Sequence, residues 1–80
     1  MLSTQEVKQL IENKLPGSRV EVQDTTGTSD HFEVVVITTE FEGKGPVDRH
    51  RMVYAALGGF VGGQIHALTL KTFTPKEAGR

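Results

Sequence analysis

Eighty residues, 36% hydrophobic and 24% charged, suffice for one small globular domain over residues 1–80 and leave no room for a second. A formal net charge of −1 removes the general electrostatic case for nucleic-acid binding, and a count of zero cysteines excludes disulfides and any thiolate cage made by this chain alone. No apolar run, that of residues 34–37 included, is long enough to cross a membrane, and a start on Met and a helix signal, with no Arg-rich leader, gives a cytoplasmic protein as the expectation.

Ser3 and Glu6 have the spacing of a capping box, with Leu2 and Val7 placed for a hydrophobic staple. Val7, Leu10, Ile11 and Leu15 recur at helical spacing, and Pro16-Gly17 ends that helix. Residues 19–24 alternate apolar and polar as a half-buried strand does, and a polar loop around Gly27 permits a hairpin into residues 32–38. The unbroken Val34-Val35-Val36-Ile37 run predicts a central strand covered on both faces. A punctuated loop over 41–46 precedes a helix predicted at 48–57. The four glycines of 58–63 allow one short, weak turn there, because each costs roughly 1 kcal/mol against alanine inside a helix. A last strand is expected at 65–73, then a polar tail at 74–80 broken by Pro75.

A strand, helix and strand in this order normally make a parallel crossover, so the starts of the second and third strands fall at one end of a sheet. His31 stands at the first start and His66 at the second. Neighbouring strands lie about 4.8 Å apart, so two imidazoles placed there could converge on one metal. Two nitrogens do not close a four-ligand site, so the form that survives is an open site completed by another molecule. The plainer alternative is a polar loop-end His31 and a packed strand His66.

Lys44 and the Arg49-His50-Arg51 run form a basic collar at the start of the second helix, readable as phosphate contacts or as a solvated helix face. Gly59-Phe60-Val61-Gly62 has the GxxG form that clamps nucleic-acid backbone in KH domains, but carries Phe and Val where basic residues are wanted. Ser29, Asp30 and His31 are adjacent and cannot form a triad without chain reversal. Asp48 near His50 lacks a nucleophile or oxyanion donor, so no enzyme is expected.

Ser29-Asp30-His31-Phe32-Glu33-Val34-Val35-Val36, Phe41-Glu42-Gly43-Lys44, Arg49-His50-Arg51-Met52-Val53-Tyr54-Ala55-Ala56-Leu57 and Ile65-His66-Ala67-Leu68 together resemble the BolA family, over nearly the whole chain. The resemblance implies an α+β fold of order αββααβ, similar to class II KH domains, with a three-stranded mixed sheet and helices packed on it. It also implies an adaptor that forms a heterodimer with a monothiol glutaredoxin of the Cys-Gly-Phe-Ser type and shares a 2Fe–2S cluster with it and glutathione. That role belongs to iron–sulfur trafficking or iron and redox signalling. The family pattern makes His66 one iron ligand and His31, at a position held by Cys or His, the second. No cofactor is then expected in the isolated chain, which would be a monomer or a weak homodimer through a sheet edge.

The alternative the resemblance offers is a DNA-binding transcriptional regulator, with Lys44, Arg49, His50, Arg51, Lys71 and Lys76 as candidates. Residues 58–63 depart from the family's longer, more charged second short helix, which removes contacts from that surface.

Overall fold

The computed structural model describes residues 2–27, 31–63, 65 and 67–79. Helix α1, Thr4–Lys14, starts where the sequence places it. Ser3 Oγ accepts from the Glu6 N–H at 3.1 Å and the Ser3 N–H donates to Glu6 Oε1 at 3.0 Å, so the capping box is closed from both sides. Leu2, Val7, Ile11 and Leu15 are buried, so the spacing read from sequence is the face that enters the core. Gly17, at φ +81°, turns the chain from α1 into the sheet.

Strands β1 (Arg19–Asp24), β2 (His31–Ile37) and β3 (Ala67–Phe73) form a mixed sheet in the order β1-β2-β3. β1 and β2 pair antiparallel, with Val20 opposite Val36 and Val22 opposite Val34. β2 and β3 pair parallel, with Phe32 opposite Leu68 and Val34 opposite Leu70. This is the α+β arrangement expected, with β2 at its centre.

The expected cover on both faces of β2 is not found. Phe32, Val34 and Val36 are buried, whereas Glu33 and Val35 between them are only half-buried. The opposite face displays Glu21 and Lys71 across from Val35, residues that stay in water. α1 packs on β1 and α2, and α2 reaches β3, which places both helices on the side of the buried residues. Two helices make one layer, and the second face of the sheet is left to solvent.

Three further segments depart from the expectation. Helix α2 runs Pro46–Leu57, two residues ahead of its expected start, with Gly45 as cap. Proline at the first helical position gives up no intrahelical hydrogen bond and arrives with a helical φ. Thr39–Phe41, left as irregular chain by the sequence, is a 3₁₀ turn capped by Thr38 and drives Phe41 to full burial. The 74–80 tail is ordered at its start: Thr74 is buried, and its Oγ1 accepts from the Glu77 N–H while the Thr74 N–H donates to Glu77 Oε1 at 2.9 Å. A short 3₁₀ turn, Gly58–Phe60, follows α2. The third strand begins at Ala67, with Ile65 set apart in a single bridge to Val61. Among the described residues no helix is long and apolar enough to cross a membrane.

Candidate metal centre

The parallel β2–β3 pairing brings the two strand starts to one end of the sheet, with His31 directly opposite Ala67. His31 is the first residue of β2, at the strand start where the crossover reading puts it and not the loop end of the plainer alternative. Its carbonyl accepts from the Thr25 N–H at 3.0 Å and from Thr25 Oγ1 at 3.2 Å, so its backbone is held from the β1 side as well as by β3. Asp24 Oδ1 accepts from the N–H groups of Gly27 at 2.9 Å and Thr26 at 3.3 Å, which shapes the turn leaving β1.

His66 lies outside the described residues, as do Ser29 and Asp30. Ile65 is 1% exposed, and its N–H donates to the Phe60 carbonyl at 2.9 Å; Ala67 stands in register with His31. Among the described residues no group of three or more His, Cys, Asp or Glu side chains could hold a metal ion.

The six basic candidates do not share one surface. Lys44, Arg51 and Lys76 are exposed, and Lys44 and Arg51 flank the first turns of α2. Lys71 pairs with Val35 on the open face of the sheet, away from the helices. His50 packs edge-on against Tyr54, ring centroids 6.4 Å apart. Arg49 is committed inside the molecule. Its guanidinium holds Glu77 in a two-pronged pair at 2.6 and 3.2 Å, its Nε donates to the Lys44 carbonyl at 2.8 Å, and it lies 5.7 Å from the Phe41 ring centre.

Arg49 thus joins three segments: the chain before α2, the 3₁₀ turn and the C-terminal turn. The sequence reading missed Glu77 altogether. Its signal was the Thr74-Pro75-Lys76-Glu77 spacing, which is that of a capping box.

Arg49, then the Thr74 N–H, hold the Glu77 carboxyl down at about 2 from an ordinary 4.5. A carboxylate lowered on folding adds stability above its unfolded pKa, and that stability is lost as pH falls through the folded value. The parent should therefore melt above Glu77→Gln near neutral pH, and the two curves should converge between pH 4.5 and 2. Because the Glu77 side chain is 46% exposed, molar salt should also narrow the gap. Melting temperatures that differ by the same amount at pH 7 and pH 2.5 would remove the ion pair as the cause.

Residues 5–77 match the family model for BolA-like protein. The chain belongs to the BolA family. It is similar to human BolA-like protein 2, 38% identical over 81 residues covering 99% of this chain and 93% of that one. It is also 45% identical to human BolA-like protein 1 over 51 residues, 64% of this chain, and that match spans only 37% of the relative's length. The DNA-binding transcriptional regulator BolA of Escherichia coli is 41% identical over 51 residues, 64% of this chain and 49% of that one. Among solved structures, a BolA homologue from Coxiella burnetii superposes with a TM-score of 0.83 over the full length of both chains at 47% identity. The BolA fold, with its mixed three-stranded sheet and helices on one side, is therefore that of this chain.

Proposed function

We propose that this BolA-family chain is a non-enzymatic adaptor that binds a monothiol glutaredoxin of the Cys-Gly-Phe-Ser type. With it and glutathione, the chain shares a 2Fe–2S cluster for trafficking or for iron and redox signalling. The observation that carries the reading is the β2–β3 register, which sets His31 opposite Ala67, the residue that follows His66.

The donor chemistry fits half a cluster site. His31 and His66 offer two imidazole nitrogens and the chain has no cysteine, so iron needs thiolates from elsewhere, which a glutaredoxin and glutathione supply. Imidazole ligation raises the reduction potential of a 2Fe–2S centre above that of an all-thiolate one. Because imidazole must be neutral to bind, acid favours release, which suits a carrier or sensor more than an electron-transfer protein. The chain's own part is to set His31 at the start of β2, opposite the residue that follows His66.

Anaerobic reconstitution of the chain with such a glutaredoxin and glutathione, followed by visible absorption and circular dichroism, tests this. A spectrum distinct from that of the glutaredoxin alone supports the adaptor. If the added chain leaves the spectrum unchanged, weight moves to the second reading.

That second reading is a DNA-binding regulator, favoured by the name of the Escherichia coli relative and by the exposed Lys44 and Arg51 at the start of α2. Lys44 and Arg51 are the residues to vary. Arg49 is a poor probe, since its loss also releases the C-terminal turn. Salt-dependent duplex binding that falls in a Lys44/Arg51 double variant and persists in His66→Ala would establish it.

A further inference from the structure

The link from α2 to β3 is short and carries no ligating side chain before His66, yet it fixes the start of β3 from one side. Gly58 leaves α2 at φ +58° and the Gly58–Phe60 turn follows. The Phe60 carbonyl then accepts two hydrogen bonds, from the Ile65 N–H at 2.9 Å and from the Gly63 N–H at 3.2 Å. The Ile65 carbonyl accepts in return from the Gly62 N–H, also at 2.9 Å. Phe60 and Ile65 thus close a tight backbone ring, and Val61 bridges Ile65 across it.

Both ends of this ring are tied to the core. Ile65 is 1% exposed, and Phe60 packs against the core from the rim, where it shares a groove with Leu2 and with Leu10 of α1. The ring closes only because Gly62 takes φ +88°. An added Cβ at Gly62 would meet no atom within 4 Å, so the demand for glycine there is purely one of backbone conformation.

The geometry points to the 60–65 turn as the positioning element of the histidine site: Gly62, through the Phe60–Ile65 hydrogen bonds, sets where β3 starts and so how well the chain retains a shared cluster. This rests on the adaptor reading for its consequence, though not for its structural half. A non-glycine residue at positive φ costs enough to weaken a local hydrogen-bonded state by about tenfold, while asparagine tolerates that region best among the others.

The test compares the parent, Gly62→Val and Gly62→Asn by amide hydrogen exchange on the isolated chain. Each is then assayed for cluster loss to a chelator after reconstitution with a monothiol glutaredoxin and glutathione. Exchange at Ile65 and at the start of β3 should rise about tenfold in Gly62→Val, less in Gly62→Asn, with the β1–β2 ladder unchanged. Cluster loss should accelerate in the same order.

A uniform rise over the whole sheet would mean that Gly62 is only a stability residue, and unchanged exchange at Ile65 would overturn the proposal outright. Faster exchange with cluster retention equal to the parent's would overturn the positioning role. If the parent itself forms no shared cluster while exchange responds locally, the turn's hold on β3 stands and the adaptor reading is what fails.

Discussion

His66→Ala should abolish the shared-cluster spectrum, and His31→Ala should leave a cluster that is lost to chelator far sooner. Removing even an outer-shell partner of a metal ligand typically costs about 10–100-fold in affinity, so a direct ligand should cost at least that. The structure changes the reasoning about His31. Residues at a loop end are expected to matter less because they are held loosely, but His31 pairs with Ala67 in the sheet and its carbonyl is held by Thr25 just past β1. Its milder effect should come from chemistry instead.

In the proposed adaptor the place of His31 takes either Cys or His, so a change of donor there should be tolerated. His31→Cys should therefore keep the cluster, with an altered visible spectrum and a lower reduction potential than the parent. Loss of the cluster in His31→Cys, together with its survival in His66→Ala, would place the ligands elsewhere. His31 is half-buried, so His31→Ala should melt close to the parent, which separates ligation from folding.

Phe41→Ala should be the most destabilising single change outside the sheet. The ring is fully buried and sits on the 3₁₀ turn between β2 and α2, with the Arg49 guanidinium above it. Truncating a buried phenylalanine costs about 3–5 kcal/mol, against roughly 5–15 kcal/mol for a whole domain. At roughly 4–8 °C per kcal/mol for a chain of this size, the melting temperature should fall by at least ~12 °C. Circular dichroism melts of the two proteins measure it. A fall of only a few degrees would show that the turn can leave the core without opening a cavity. Phe41→Leu, which refills most of the volume, should recover more than half of the loss.

Much of this molecule was legible from pattern. The Ser3–Glu6 spacing, the Val7, Leu10, Ile11 and Leu15 face, and the alternation in β1 each report a local rule that the fold obeys. The pairing of β2 with β3 followed from the helix between them.

The misreadings occurred where one residue type serves two causes. Val35 is β-branched and favours a strand on either face, so the valine run did not reveal that Val35 faces away from the helices. Phe41, alone among charged residues, had no periodicity to mark it as core. Pro46 and Pro75 were read as breaks, although proline also starts helices and turns. The Arg49–Glu77 pair joins distant parts of the chain, and no local pattern announces such a partner. Of the candidate site, sequence supplied the residues and the strand order, while the hold on His31 from Thr25 and on Ile65 from Phe60 emerged only in three dimensions.

The antiparallel β1–β2 hairpin is local, but the parallel β2–β3 pair must wait for a crossover running from residue 38 to residue 66. Non-local pairings of this kind form slowly, after the entropy of closing the intervening chain has been met. On the ribosome, where synthesis runs from the N-terminus, the hairpin and α1 can assemble while the sheet still lacks its third strand. The histidine end is consequently assembled late. A nascent or truncated chain would expose the edge of β2, and the cluster ligation proposed above would have to wait until β3 had been made.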